Sequence, residues 1–303
     1  MKEYTIYALG FFDGVHLGHQ ALLQTCRELA DRHGWKAGVV TFSNHPDTLV
    51  LGKTPALISS LPDRERLMKT QFHMDTVVTL PFDEQMRTMP WKEFLLMLQR
   101  DYGAAGFVCG EDFHFGARGE GNAEQLYWAC YGRGFPCAVV PQLKLDGQVV
   151  SSTLIRTLIE DGRMESATKF LGHPYMLTGK VVHGHQLGRT LGIPTANLVL
   201  PEDLAIPKFG VYACQAIVDG KSYPAVTNIG TRPTVSGRGI TVEPWILVFE
   251  GDLYGREIQL EFYYFLRPEM KFPDLAALQA EIRKNADETR AYFANLDQKE
   301  ADQ

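Results

Sequence analysis

The sequence predicts two domains of different class: an α/β domain, followed by a small antiparallel β domain that a helix closes. Up to about residue 170, apolar strand-like runs alternate with helix-like segments, which indicates a parallel sheet with helices on both faces. From Met176 onward the segments are short and separated by glycines, which is typical of a barrel or a sandwich. We expect the domains to span residues 1–173 and 174–303.

Each element is predicted from the spacing of its apolar residues. In the first domain the expected strands are 6–9, 36–42, 76–80, 106–109 and 137–141. Its expected helices are one that starts near residue 16 or 17, and 62–72, 91–102, 123–132 and 152–159. In the second domain the expected strands are 176–183, 211–218, 223–228, 242–249 and 257–266, and the expected helix is 274 to about 295.

Composition narrows the class of protein. The chain has 303 residues, of which 45% are hydrophobic and 22% charged, as in an ordinary globular protein. A formal net charge of -6 argues against a general nucleic-acid or membrane-surface role. The five cysteines form no Cys-x-x-Cys pair, so we expect buried thiols in a reducing compartment. With neither a secretory pattern before the first strand nor an apolar run of membrane-spanning length, we expect a cytoplasmic protein.

The turn between the first strand and the first helix is the strongest functional signal. Residues 10–19 read Gly-Phe-Phe-Asp-Gly-Val-His-Leu-Gly-His. The first N–H groups of a helix form an anion site, and His16 and His19 share one face of its first turn. Gly18 leaves room for a bulky group to approach. These features favour a phosphate site, although two histidines could also merely cap the helix.

Two further segments carry candidate phosphate and ring contacts. Ser152, Thr153 and Arg156 place hydroxyls at a helix start and a guanidinium one turn later, which suits phosphate oxygens. The hydroxyls could instead serve the helix alone as N-caps. A glycine-rich loop carries Phe113 and Phe115, which could stack on a planar ring or simply fill the core.

The second domain carries a candidate metal and phosphate site. Pro194 fixes the backbone before Thr195 and Asn197, whose neutral oxygens suit Mg²⁺, an ion that completes its shell with phosphate oxygens and water. Glu243 lies in an otherwise apolar strand beside Pro244, where it could be a general base or a solvated glutamate of an edge strand. A Gly-x-x-x-x-Gly-Lys-Ser/Thr pattern does not occur in the sequence, which excludes a P-loop kinase.

Together these motifs resemble those of the bifunctional bacterial riboflavin kinase/FMN adenylyltransferase family, also called FAD synthetase. The resemblance covers nearly the whole chain and rests on two motif sets in the family's order. It implies a Rossmann-like nucleotidyltransferase domain of the His-x-Gly-His type, then an all-β barrel riboflavin kinase domain with a closing helix. The matching segments are 10–19, 41–46, 110–116, 152–156, 188–197, 210–212, 228–234, 242–243, 252–255, 266–267 and 271–272.

The resemblance also implies a reaction and the residues that perform it. In the barrel, a carboxylate base would take the proton of the ribityl 5′-hydroxyl of riboflavin, and ATP would give FMN and ADP. In the first domain, the FMN phosphate would attack the α-phosphorus of a second ATP and expel pyrophosphate. The implied catalytic residues are Glu243 for the kinase and His16, His19 and Arg156 for the adenylyltransferase, and the implied metal ligands are Thr195 and Asn197. The implied nucleotide and flavin contacts are Gly10, Phe12, Asp13, Gly18, His45, Asp112, Phe113, Phe115, Ser152, Thr153, Gly188, Arg189, Gly192, Pro194 and Arg267.

The implied partners are riboflavin, FMN, FAD, ATP, ADP and pyrophosphate, with Mg²⁺ accompanying ATP. We expect neither nucleic acid nor a membrane as partner, and a monomer or weak homo-oligomer. The same folds could keep only one working site, or form a non-catalytic flavin-binding or regulatory protein, which would have no need of the base. An adenylyltransferase for another phosphorylated substrate would leave the barrel half unused.

A few positions depart from the family pattern. Trp245 stands near a common histidine, Val248 replaces an aspartate, and His114 replaces an arginine. Residues 43 and 44 are Ser-Asn where an acidic residue and a proline are more usual. Asn285 replaces an aspartate near the C-terminus, and we expect no functional consequence there.

Two domains with separate cores should fold independently. We therefore expect a fragment of residues 1–173 to convert FMN to FAD and to leave riboflavin unchanged. Chromatographic separation of the flavins, after incubation with ATP and Mg²⁺, measures both reactions. A folded fragment that phosphorylates riboflavin would contradict the assignment of sites to domains.

Overall fold

The structure, a computed structural model, describes residues 4–183, 192–234 and 237–301. The chain divides into two compact units, Met1–Leu154 and Ile155–Gln303. The first is an α/β unit with a parallel sheet and the second contains a closed antiparallel barrel, so the predicted fold class is confirmed. The predicted domain boundary after residue 173 stays a prediction.

The first unit is built on a five-stranded parallel sheet with the order β3-β2-β1-β4-β7. Its sheet strands are β1 Thr5–Leu9, β2 Lys36–Phe42, β3 Thr76–Leu80, β4 Ala104–Gly110 and β7 Cys137–Val140. The short strands β5 His114–Phe115, β6 Gly121–Asn122, β8 Lys144–Leu145 and β9 Gln148–Val149 form two hairpins. The strand order reverses between β1 and β4, and ligands of such sheets bind in the crevice at the carboxyl ends of the strands at that point.

Helices follow the strands of this sheet. They are α1 Leu17–His33, α2 Pro46–Val50, α3 Leu61–Thr70, α4 Glu84–Thr88, α5 Trp91–Tyr102 and α6 Ala123–Tyr131, and α7 Ser152–Glu160 spans the boundary between the units. All five residues of β1 are buried, as expected for a central strand covered on both faces. One core cluster joins Leu9 and Phe107 of the sheet to Leu95 and Leu98 of α5 and to Leu126 of α6.

The second unit is a closed six-stranded barrel with the order β10-β11-β14-β13-β12-β15. Its strands are β10 Tyr175–Val182, β11 Asn197–Val199, β12 Gly210–Val218, β13 Lys221–Thr234, β14 Gly237–Ile246 and β15 Glu257–Pro268. Within the described part of this unit, two further helices are α8 Met164–Leu171 and α9 Leu275–Ala301. Closure gives every strand two neighbours, so no strand of the barrel is an edge strand.

The structure differs from the sequence-based expectation at several elements. The single-turn helices α2 and α4, the helix α8 and the short strand β11 were not predicted. The strand expected at 242–249 ends at Ile246, and the next residues form a turn in which the Leu247 N–H donates to the Pro224 carbonyl over 2.9 Å. The strand expected at 223–228 extends in both directions.

Gly116 is a position where the fold needs a missing side chain. Its φ of 75° is left-handed, and an added Cβ would lie 2.6 Å from Cα of Trp91. Gly119 in the same loop has a φ of 67°, but the nearest contact of an added Cβ would be an ordinary 3.6 Å.

We expect Gly119→Ala to lower the free energy of unfolding by about 1 kcal/mol, from backbone strain alone. Gly116→Ala adds a steric overlap and should cost about 2–4 kcal/mol. Urea unfolding followed by tryptophan fluorescence measures the difference, and equal losses would contradict the contact with Trp91.

Candidate active sites

The turn after β1 is held in an unusual backbone conformation. Phe12 has a φ of 59°, Gly14 of 75° and Val15 of 42°, all in the left-handed region. A β-branched residue such as Val15 rarely adopts this conformation, and it persists only where surrounding contacts impose it. The segment Asp13–Val15 forms a single 3-10 turn, and helix α1 begins directly after it.

The carboxylate of Asp13 holds this turn from below. Its side chain is 2% exposed and accepts hydrogen bonds from the N–H groups of Ile58 at 2.9 Å and Ser59 at 3.1 Å. The N–H of Gly14 in turn donates to Oγ of Ser59 over 2.9 Å. Oγ of Ser152 donates to the Asp13 carbonyl over 3.1 Å, which ties the start of α7 to the same turn. Asp13 therefore holds the backbone, and a direct contact of its side chain with a nucleotide stays a prediction.

His16 both caps helix α1 and faces the cavity above it. Its Nδ1 accepts the His19 N–H over 3.3 Å, so the neutral ring carries its proton on Nε2. The two imidazole rings are stacked, with centroids 3.6 Å apart and planes 14° apart. An added Cβ at Gly18 would lie 3.2 Å from the His16 ring, so glycine gives that ring its room. Capping and a role at the site are thus compatible in one side chain.

His19 is electrically neutral at physiological pH. Burial lowers its pKa well below the usual value of 6.5, and the neighbouring His16 and Arg64 lower it further. Phe12 packs against its ring at a centroid distance of 5.1 Å. In the neutral state His19 can donate one ring N–H to a phosphate without carrying a charge.

A cavity opens at the carboxyl ends of β1, β4 and β7, above the stacked histidines. It brings together seven of the predicted site residues: Gly10, His16, Gly18, His19, Asp112, Phe113 and Ser152. Leu9, Leu22, Gly110, His114, Val140, Pro141, Gln142, Leu143, Val149, Val150 and Ser151 complete its lining. The lining therefore combines polar donors, an aromatic ring and aliphatic side chains.

Four other predicted residues are not in the lining of this cavity. Phe115 is buried in the core beneath Phe113, with ring centroids 5.3 Å apart, which is the core-filling alternative for this residue. His45 caps α2, since its Nδ1 accepts the Asp47 N–H over 3.1 Å. Thr153 is exposed at the start of α7. Arg156 lies in the same helix, half-buried and within the second unit, so its role at a phosphate stays a prediction.

Gln142 lines this cavity but is not among the residues that the sequence motifs predict. Its backbone N–H donates to Oε1 of Glu111 and its Nε2 donates to Oδ2 of Asp112, both over 3.0 Å. These bonds fasten the segment after β7 to the loop after β4, on the wall of the cavity. A single glutamine outside any repeated pattern gives no signal in one sequence.

In the barrel, Glu243 lies between two asparagines. The antiparallel register places it opposite Asn228 of β13. The register that pairs Leu198 with Val242 places it opposite Asn197 of β11. Directly opposed residues share one face of a sheet, so a carboxylate is flanked by two amides. Glu243 is half-buried on an inner strand of the closed order, which excludes the solvated edge-strand alternative.

A second cavity lies in the barrel unit. Of the predicted kinase residues it brings together Pro194 and Thr195, whereas Glu243 and Asn197 are not among its lining residues. The Ala196 N–H donates to the Pro244 carbonyl over 2.9 Å, which joins this segment to β14. The rest of the lining comes from Val181, Ala196, Pro244, Ile246, Phe249, Gly251, Asp252, Leu253 and Tyr254. Gly192 is exposed with a φ of 67°, while the predicted Gly188 and Arg189 lie outside the described residues.

Arg267 is tied to helix α9. Its Nε donates to Oδ1 of Asn285 over 3.0 Å and lies 3.5 Å from Oε1 of Glu281. Burial lowers the pKa of Arg267, against the opposing effects of Glu281 and Glu288. Asn285 is buried, with 1% of its surface exposed, and it orients Arg267, a predicted site residue. The expectation that this position has no functional consequence did not foresee this contact. A contact of Arg267 with ligand stays a prediction.

Comparison with known proteins agrees with this geometry. A family model for riboflavin kinase matches residues 171–293, and one for FAD synthetase matches residues 1–154. A bifunctional riboflavin kinase/FMN adenylyltransferase of Listeria monocytogenes is 36% identical over 299 residues, covering 96% of this chain and 93% of the relative. A protein of the same description from Bacillus subtilis is 35% identical over 298 residues, with the same coverage of 96% and 93%. The chain belongs to the bifunctional riboflavin kinase/FMN adenylyltransferase family.

One solved structure resembles the chain over most of its length. A Streptococcus pneumoniae protein described as a macrolide-efflux protein has a TM-score of 0.86 and 29% identity, covering 96% of this chain and 95% of that chain. The likeness agrees with the α/β and barrel architecture. Within residues 4–183, 192–234 and 237–301, no helix is both long and apolar enough to cross a membrane.

Two of the departures from the family pattern, at Trp245 and Val248, fall at distinct places in the barrel unit. Val248 is 64% exposed in the turn after β14. Trp245 packs against the buried cluster of Val211, Val226 and Ala286, which lies where α9 meets the barrel. Val248 therefore lies away from the row of Glu243, whereas Trp245 adjoins it, because Val211 is the residue opposite Asn228.

The neutral state of His19 predicts a pH dependence of stability. In the unfolded chain a histidine has a pKa of about 6.5, so the unfolded state binds the extra proton below that pH. Stability should fall as pH decreases below about 6.5, by up to about 1.4 kcal/mol per pH unit. His19→Gln should lose this part of the slope, while His114→Gln, at an exposed position of the same cavity, should keep it. Urea unfolding at several pH values measures the slopes, and an unchanged slope in His19→Gln would refute the assignment.

Proposed function

We propose that each unit carries one step of flavin cofactor synthesis, the barrel unit forming FMN from riboflavin and the first unit forming FAD from FMN. As a member of this family, the chain is an enzyme that uses ATP in both steps. One observation carries the assignment for the first unit: the stacked histidines lie in a cavity at the carboxyl ends of β1, β4 and β7. That is the place where parallel sheets of this order bind nucleotides.

In the barrel unit, Glu243 acts as the general base. A ribityl hydroxyl is a weak acid, so its proton must leave as the oxygen attacks the γ-phosphorus of ATP. Asn197 and Asn228 lie on both sides of this carboxylate in the cross-strand row, where their amide groups have the donors to orient it. The cavity beside Thr195 receives ATP.

Mg²⁺ is the ion that we propose for the bound ATP. Thr195 and Asn197 offer neutral oxygens on one short segment. The described residues contain no group of three or more histidine, cysteine, aspartate or glutamate side chains that could hold a metal. This donor set fits magnesium bound mainly through substrate phosphates and water, with one or two protein ligands. The ion would neutralise charge on the transferred phosphoryl group.

In the first unit, the histidine pair stabilises charge on the phosphates of a second ATP. The FMN phosphate attacks the α-phosphorus and pyrophosphate leaves, so no protein nucleophile is required. Nε2–H of His16 and a ring N–H of neutral His19 donate to phosphate oxygens, next to the free N–H groups at the start of α1. Phe113 contacts the planar ring of the ligand. A cytoplasmic location and a monomer or weak homo-oligomer complete the proposal.

A reciprocal pair of variants tests the assignment. Glu243→Gln keeps the size of the side chain but cannot accept a proton, so riboflavin phosphorylation should fall about 10²- to 10⁴-fold. Conversion of supplied FMN to FAD should stay unchanged. His19→Ala should lower FAD formation about 10²- to 10³-fold and let FMN accumulate.

Both steps are measured by flavin chromatography, and each variant is the control for the other. Glu250→Gln, at an exposed glutamate beyond the end of β14, should leave both steps unchanged. Normal phosphorylation by a folded Glu243→Gln protein, or normal FAD formation by His19→Ala, would overturn the respective assignment.

A further inference from the structure

Helix α3 carries a fully buried arginine that contacts both loops at the first site. Arg64 is 1% exposed. Its Nη1 donates to the Phe11 carbonyl and its Nη2 to the Phe42 carbonyl, each over 2.8 Å. Phe11 follows β1 and opens the turn of the histidines, while Phe42 ends β2 just before the segment of His45. One planar group therefore links the ends of two neighbouring strands.

Further contacts converge on the same carbonyl and ring. Oγ1 of the buried Thr41 also donates to the Phe11 carbonyl, over 2.8 Å. The guanidinium of Arg64 lies 4.3 Å from the centroid of the Phe11 ring, whose other neighbour is the His45 ring at 4.6 Å. The backbone at Phe11 is thus fixed immediately before the left-handed residue Phe12. Such strain needs surrounding contacts that leave the chain no alternative.

We propose that Arg64 is a positioning residue for adenylyl transfer, which fixes the strained turn of His16 and His19 relative to the end of β2. The inference rests on the proposed function of the first unit. Arg64 acts through the backbone, because its two terminal nitrogens, Nη1 and Nη2, donate to the two carbonyls and its plane lies over the Phe11 ring, while its Nε is buried without a hydrogen-bond partner among the described residues. A displacement of about 1 Å in a catalytic group can cost about 10²-fold in rate, so this linkage is expected to affect catalysis.

The chemistry of the position favours arginine over lysine. A guanidinium presents several N–H donors in a fixed plane and reaches two carbonyls at once, whereas an ammonium is a point charge. Burial lowers the pKa of Arg64 to about 10, against the opposing effects of Asp13 and Glu65, so the group stays charged at neutral pH. That charge also contributes to keeping His19 neutral. The other titratable groups that face His19 are His16 at its ring and Asp112 and His114 across the cavity.

The experiment separates the geometry of Arg64 from its charge in the full-length chain. Arg64→Lys keeps the charge and loses the double contact, so FMN adenylylation should fall about 10- to 100-fold, with riboflavin phosphorylation unchanged. Thr41→Val keeps the packing and removes one donor to Phe11, so the same step should fall about 2- to 10-fold. Lys69→Met, at an exposed position of α3, should leave both steps unchanged.

Histidine NMR supplies a readout that lower stability would not move. The midpoint of the His19 titration should rise in Arg64→Met, which lacks the charge, and stay low in Arg64→Lys. Full adenylylation by folded Arg64→Lys and Thr41→Val proteins would overturn the proposal. The proposal would also be overturned if the variants lost adenylylation activity only in proportion to the fraction of protein that is unfolded at each temperature. Full adenylylation activity in His19→Ala would show that the proposed site itself is wrong. If His19→Ala loses activity while the Arg64 variants keep it, only the role of Arg64 is rejected.

Discussion

The first unit depends on two buried groups of opposite charge that grip one strained turn. Asp13 binds backbone N–H groups of residues 58 and 59, and Arg64 binds the carbonyls of Phe11 and Phe42. A buried charge is costly unless hydrogen bonds satisfy it. Both oxygens of Asp13 and both terminal nitrogens of Arg64 obtain main-chain partners, and Nε of Arg64 has none in the part of the chain that the structure describes. The left-handed conformation of Phe12 and Val15 is therefore maintained by the segment that leads into α3. The contacts of Asp13 and Arg64 therefore also fix the positions of the stacked histidines, which follow this turn directly in the chain.

The barrel unit reaches comparable order by a different route. Its polar row depends on strand register, which sets Asn197, Glu243 and Asn228 side by side across three strands. The next positions of the row are Val211 and Arg267, and Val211 packs against Ala286 of α9. A register shift of one residue in any of these strands would turn its side chains to the other face of the sheet. Because such a shift would expose the buried Val211, the packing of Val211 maintains the alignment of the row. Apolar packing under the helix thus fixes the geometry of a polar site.

The sequence was most informative where physical signals are local. Apolar runs predicted β2 and β3 with their observed ends, and the glycine and histidine pattern located the turn at α1. It was least informative for groups that act across the fold. Neither the contact of Arg64 with two strand ends nor the bond between Arg267 and Asn285 leaves a trace in spacing, because their partners are backbone atoms or distant residues. Phe115 shows a related ambiguity, since a loop aromatic can face a ligand or the core and only packing decides.

The hydrogen bond between Ser152 and the Asp13 carbonyl joins the beginning of the first unit to its end, across 139 positions of the chain. Contacts so distant in sequence are slow to form, because a long loop must close before they contribute. A chain that leaves the ribosome N-terminus first exposes the histidine turn early, at a rate of about 5–20 residues per second. Ser152, which bonds to this turn, emerges only after nearly all the other strands and helices of the unit. The cavity above the stacked histidines is therefore among the final features of this half of the protein to be completed during synthesis, after the sheet that supports it.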